Sequence, residues 1–215
     1  MAFPTMPRRP RADYIDPPPE IANPTPAAAR GWHSGWPDDC TPPAARRRIQ
    51  VVRPSDGRVF QLAVDQRLGG LFGDFLDLAQ ADGRYELRGA QEVSDNGRAQ
   101  GGNGSFVCRS IKGSDPPAPS NHSCATALDL WTRSNPQVRT GNFVSTIHPE
   151  VVELAAAALI YWGGWYYDAD GTYVDAMHFE FMATPDDVSR AQAAVHEKAD
   201  EIRSRPKRRR RARRA

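Results

Sequence analysis

The chain of 215 residues has little cysteine: Cys40, Cys108 and Cys124, an odd number with no Cys-x-x-Cys pair. That argues against a disulfide-built scaffold and against a thiolate zinc cluster. A Cys40–Cys108 pairing is open but has no support in the spacing, and Cys124 reads as a small buried apolar residue. Long apolar runs are missing too, and none approaches the roughly 20 residues that cross a bilayer. Residues 1–10 contain arginine but no apolar stretch, so they do not read as a secretory leader. Proline is sparse in the body of the chain, because eleven of the 19 lie before Arg46. Acidic residues outnumber basic ones there as well. The formal net charge is +2, yet nine Lys or Arg and no acid fall within residues 203–215. The body is therefore acidic, which excludes a uniformly basic nucleic-acid-binding domain. Only the run 203–215 offers a surface to a polyanion, and its plain reading is a solvated tail.

What is present divides the chain into four. Residues 1–46 read as a Pro-rich extended arm, since Pro17-Pro18-Pro19, Pro24, Pro26 and Pro42-Pro43 oppose helix and favour polyproline II. Trp32 and Trp36 within it predict docking on the body or on a partner. Residues 47–184 read as the folded domain. Two strands, 49–52 and 59–64, flank the turn Pro54-Ser55-Asp56-Gly57. Leu68, Leu71, Phe72, Phe75, Leu76 and Ala79 recur at helical spacing, with Asp82-Gly83 as the stop. A strand at 85–87, a Gly- and Asn-rich loop at 94–105 and a strand at 106–111 follow. Pro149 opens a second helix expected to run to Gly163-Gly164. A hairpin over 165–167 and 177–182 then turns at Asp168-Ala169-Asp170-Gly171. Residues 185–203 read as a charged helix and 204–215 as a basic tail. The class is α+β, a small antiparallel sheet with flanking helices.

Two segments carry the chemistry. One is Ser120-Asn121-His122-Ser123-Cys124-Ala125-Thr126-Ala127-Leu128-Asp129, and the other is Asp175-Ala176-Met177-His178-Phe179-Glu180. The alternation at 127–130 makes a loop-to-strand passage between His122 and Asp129. His178 and Glu180 are two apart in strand sequence and face the same way. One compact site gathers His122, Asp129 and His178 as metal ligands, leaving Asp175 or Glu180 to handle protons. Two imidazoles and one carboxylate, with a position left for water, are the donors of a catalytic zinc site. Two histidines and some acids are also common without any metal, so spacing alone does not decide the matter.

The first segment resembles the Ser-x-His-x-x-Gly-x-Ala-x-Asp signature of the zinc D-alanyl-D-alanine carboxypeptidase and L-alanyl-D-glutamate endopeptidase superfamily. The second is similar to its Asp/Glu-x-x-His signature. The segments Gly35-Trp36-Pro37-Asp38-Asp39-Cys40, Phe106-Val107-Cys108-Arg109-Ser110-Ile111-Lys112-Gly113 and Trp162-Gly163-Gly164 look like the form found in phages of actinobacteria. The resemblance covers residues 31–184. It implies a D,D-peptidase/Hedgehog-like zinc peptidase domain with Zn2+ on His122, Asp129 and His178. It further implies Asp175 as general base, Arg109 on the oxyanion and Ser120 near the substrate carboxylate or a metal ligand. Glu180 is expected behind a ligand histidine. The family glycine is Ala125 here, a harmless methyl at negative φ and a strained one at positive φ. The implied substrate is bacterial peptidoglycan. The implied setting is a phage tail tip, with tail proteins as partners of the arm and basic tail. The alternatives are a structural tail or baseplate protein with little activity, or an endolysin held in the host cytoplasm before lysis.

Overall fold

The computed structural model describes residues 8–21, 36, 40–54, 57, 59–81, 104–110, 120–132, 134–139, 142–143, 145–166 and 173–205. The expected strand at 85–87, the Asp82-Gly83 stop, Trp32, the turn at 168–171 and residues 206–215 lie outside them. Mixed helices and small antiparallel sheets make an α+β architecture. No helix among the described residues is long and apolar enough to cross a membrane.

Strands β1 (Arg46–Val52) and β2 (Val59–Asp65) form an antiparallel hairpin. Gly57 at its turn takes φ +71°, a conformation that glycine adopts without cost. Ile49, Val51, Leu62 and Val64 alternate onto the buried face, as a period of two requires. A short 3-10 turn at Gln66–Leu68 leads into helix α1 (Gly69–Gln80), whose Leu71, Phe72, Phe75, Leu76 and Ala79 are buried as the spacing predicts. Strand β3 (Ala127–Asp129) follows, and β4 (Val138–Arg139) pairs with β6 (Tyr173–Val174). Helix α2 (Pro149–Ala157) starts on its proline, with His148 Nδ1 accepting from Glu150 N. Strands β5 (Ile160–Trp162) and β7 (His178–Phe181) complete a three-stranded antiparallel sheet in the order β3-β7-β5. Helix α3 (Val188–Ser204) begins from a Thr184–Asp187 capping box and buries Ala191, Val195, Ala199 and Ile202 along one stripe. Asp74 of α1 accepts hydrogen bonds from Gln192 and His196 of α3.

Two expectations need correction. Helix α2 does not run to Gly163, because it ends at Ala157 and Leu159 turns left-handed at φ 56°. The β-branched and aromatic residues Ile160, Tyr161 and Trp162 then become a fully buried strand. An apolar run buried all round reads equally well as helix or strand, so periodicity did not separate them. The antiparallel neighbour of β7 is therefore β5, with β6 between them in the chain, whereas Trp165 lies in a 3-10 turn, Gly163–Trp165. The pairing left open by the sequence is made in the structure. Cys40 and Cys108 are joined by a disulfide across a sequence separation of 68, with Cα atoms 5.4 Å apart.

The described part of the N-terminal arm is integrated into the body. Tyr14 is buried and donates to the Ile147 carbonyl at 2.7 Å. Its ring packs on Trp162, and Trp165 Nε1 donates to Ile15 O. Trp36 is buried too: its Nε1 donates to Ala183 O, its ring meets Phe181, and the Arg67 guanidinium lies over it. These aromatic side chains bind the arm to the domain instead of presenting it to solvent.

Candidate metal centre and catalytic site

The central strand β7 delivers His178, and its neighbour β3 delivers Asp129. The register sets these two residues directly opposite each other. Residues so paired have Cβ atoms about 5 Å apart, so the side chains meet without any further device. His122 arrives from the turn at 121–125, just before β3. That turn is held from several sides. Ala125 O accepts from Asp65 N, Ser123 O from Thr41 N and His122 O from Val107 N. Ser120 Oγ accepts from His122 N at 3.3 Å.

Three atoms converge. Asp129 Oδ1 lies 3.2 Å from His122 Nε2 and 3.1 Å from His178 Nδ1, and the two nitrogens are 3.2 Å apart. Three corners of a tetrahedron with zinc bonds of about 2.0–2.1 Å are separated by about 3.3–3.4 Å. The triangle is thus nearly that of a tetrahedral ion's ligands. The remote nitrogens agree. His122 Nδ1 is 2.6 Å from the Ser105 carbonyl, and His178 Nε2 is 3.1 Å from Glu180 Oε2. Each acceptor requires a proton on the nitrogen facing it, which turns the other nitrogen's lone pair toward the centre. A carboxylate oxygen and two lone pairs facing one another call for a cation. Without a cation a proton takes its place: although burial opposes charge on His178, hydrogen bonds of the doubly protonated ring to Asp129 and Glu180 raise its pKa well above the usual histidine value. In that protonated arrangement burial likewise pushes the Asp129 carboxyl up, but hydrogen bonding with the two imidazoles holds it far below the usual carboxylate range. The residues fit a divalent metal.

Asp175 lies beside this centre on the tight turn between β6 and β7. Its backbone is bonded on both sides, Asp175 N to Gly163 O at 3.0 Å and Asp175 O to His178 N at 2.9 Å. Trp162 Nε1 donates to Ala176 O at 2.8 Å. Gly163 is required here by space: a Cβ on it would lie 2.2 Å from Asp175 O. Asp175 Oδ1 is buried and has no hydrogen-bond partner among the described residues. Burial pushes its pKa to about 6, with His178, Asp129, His122 and Glu180 as the charges it feels. A carboxyl with a pKa near neutrality and an uncommitted oxygen is suited to proton transfer.

The remaining expected residues fall in three places. Glu180 is 2% exposed and sits behind His178, where Tyr166 and Asn121 also donate to it. Despite burial, these bonds lower its pKa to about 2. Arg109 is exposed, on the extended segment 104–110 that borders the ligand turn. Its backbone N–H donates to Ser123 Oγ, and its guanidinium reaches Ser110 O at 3.4 Å, so it lies on the rim, apart from the three ligand atoms. Ser120 is buried, with its hydroxyl directed to the His122 backbone. Sequence reasoning missed Ser105, Asn121 and Tyr166, and left the disulfide open. Ser105 acts through its carbonyl, which no side-chain pattern announces. Asn121 adjoins a candidate ligand, and Tyr166 follows the Gly163-Gly164 pair, so position alone marked them.

Fold and site together define an α+β protein with a centre of two histidines and one aspartate. Residues 114–181 match a family model described as D-alanyl-D-alanine carboxypeptidase. The matched span holds Ser120, Asn121, His122, Asp129, Tyr166, Asp175, His178 and Glu180, and leaves Arg109 outside. The match supports the likeness to the zinc peptidase superfamily. No curated protein and no solved structure matches the chain.

Proposed function

We propose that the protein is a zinc metallopeptidase that hydrolyses a peptide bond in peptidoglycan stem peptides, on a D,D-peptidase/Hedgehog-like domain. The observation that carries this reading is the convergence of His122, Asp129 and His178 beside the uncommitted carboxyl of Asp175. The match to a family described as D-alanyl-D-alanine carboxypeptidase supports this substrate class.

His122 Nε2, Asp129 Oδ1 and His178 Nδ1 would hold the ion. Bound zinc supplies a Lewis acid for the scissile carbonyl and brings water within reach of deprotonation near neutral pH. Asp175 accepts the proton of the attacking water as the new C–O bond forms. It then returns that proton to the amine as the C–N bond breaks, so the proton count balances. Arg109, exposed and cationic on the rim, stabilises negative charge developing on the carbonyl oxygen once substrate lies across the segment 104–110. Ser120 serves by fixing the backbone of His122.

The test is mass spectrometry of purified wall muropeptides after incubation with the protein, with and without a chelator. New stem-peptide fragments that vanish with chelator are expected. Asp175→Ala should lower turnover by about 10²–10⁴-fold while zinc still binds; unchanged turnover would refute Asp175 as the base. His178→Ala should lose the metal itself.

The reading includes a phage-borne setting, on the likeness of the flanking segments to members from phages of actinobacteria. Detection of the protein in purified virions, and its absence from them, separates a tail-tip enzyme from an endolysin. A structural copy with weak activity has one specific observation in its favour, the positive φ of Ala125.

A further inference from the structure

Behind His178 lies a polar cluster in an otherwise apolar region. Glu180 is buried and receives three donors: Tyr166 Oη on Oε1 at 2.6 Å, His178 Nε2 on Oε2 at 3.1 Å, and Asn121 Nδ2, also on Oε2. These donors come from three parts of the chain. Tyr166 follows the Gly163–Trp165 turn, Asn121 begins the turn that carries His122, and His178 shares strand β7 with Glu180. The Tyr166 ring also lies nearly parallel to that of His178, at 26° and 6.4 Å between centroids, and packs on Tyr161.

The two histidines use different nitrogens. His122 presents Nε2, whereas His178 presents Nδ1. A half-turn of the His178 ring about χ2 would replace Nδ1 with a carbon. The hydrogen bond to Glu180 holds the ring against that turn. Glu180 in turn has its position fixed by Tyr166 on one oxygen and Asn121 on the other. We infer that Tyr166 and Asn121 are positioning residues that act through Glu180 to lock His178 in its Nδ1-presenting orientation toward a divalent cation. Asn121 additionally ties the His122 turn to β7, so both imidazoles share one support. This inference rests on the metal-binding reading proposed above. A carboxylate that orients a ligand histidine alters metal affinity by about 10–100-fold when removed, and the donors that fix it should pass on part of that effect.

The test uses the full chain and two cations, Zn2+ and Co2+. Zinc affinity is measured by competition with a chromophoric chelator, and the Co2+ form by its visible absorption bands. Tyr166→Phe removes one hydroxyl and keeps the ring, so thermal melting of the metal-free variant should stay close to that of the parent. Its zinc affinity should fall several-fold to tenfold, and its Co2+ bands should shift. Glu180→Gln should weaken zinc binding further. In the Glu180→Gln background the Tyr166→Phe change should have no additional effect on affinity, because the two act in series. The inference is overturned if Tyr166→Phe binds zinc like the parent with unchanged Co2+ bands, or if the two substitutions add independently. Failure of the underlying reading looks different: the parent protein itself would bind no zinc.

Discussion

The two segments that meet at the centre are supported in opposite ways. The segment ending in His178 belongs to the central strand of its sheet. Its approach turn is pressed against Gly163, bonded by Trp162 and backed by Glu180. The segment carrying His122 is a turn held from outside. Its supports are the end of β2, Thr41 beside Cys40, and the extended segment 104–110 that the disulfide ties down. It also bears a left-handed alanine, Ala125 at φ 56°. One histidine is thus set by the core and the other by straps and loops. Damage to the straps should loosen His122 first, and damage to the core should displace Asp175 and His178 together.

The largest expected effect is on the strap side. Reducing the Cys40–Cys108 disulfide frees a loop of 68 residues, for which chain entropy predicts a loss of about 4 kcal/mol. It should also loosen the segment that carries Ser105, the acceptor for His122, which is otherwise held by hydrogen bonds to Ala63 and Asp129. Denaturant midpoints with and without reductant measure the first effect, and zinc competition the second. Equal zinc affinity in both states would show that the segment 104–110 is held without the bridge.

Next comes the carboxyl on the core side. Asp175 is raised from an ordinary 3.8 to about 6 in the folded protein. The folded state therefore holds its proton more tightly than the unfolded chain. Stability is full below about pH 4 and falls as pH rises toward 6, by on the order of 3 kcal/mol in the metal-free protein. Asp175→Asn should remove that decline, so the variant should outlast the parent in urea at pH 7 but not at pH 4. Activity in the parent should rise over the same window as the carboxyl ionises.

Gly163→Ala should cost about 2 kcal/mol by forcing a methyl into Asp175 O. It should also lower turnover, since the Asp175 turn must shift. A fully active Gly163→Ala variant would show that this turn tolerates displacement. The smallest effect has the opposite sign. Ala125→Gly relieves a left-handed alanine, a strain of about 1–2 kcal/mol that glycine's extra unfolded freedom partly offsets. A net gain of about 1 kcal/mol in the denaturation midpoint is expected, with unchanged or tighter zinc binding. Destabilisation on this change would mean that the alanine methyl packs favourably.

Much of the centre was legible because its patterns are local. His178 and Glu180 share a face through strand alternation, and Pro149 and Pro185 mark the starts of their helices. The end of α2 was not legible, because residues 158–162 are all buried and carry no period to distinguish helix from strand. The strain at Ala125 was stated as a condition on φ, and only coordinates supply that angle.

By itself the sequence determined which residues have metal-binding chemistry, which of them share a strand, and that a methyl stands where a glycine is expected. Tertiary structure alone decided that Asp129 faces His178 across two strands, that Cys40 meets Cys108, and that Tyr166 and Asn121 converge on Glu180. The physical reason is range. Side-chain period and capping act over a few residues, whereas pairing, burial and desolvation act between segments that only packing brings together.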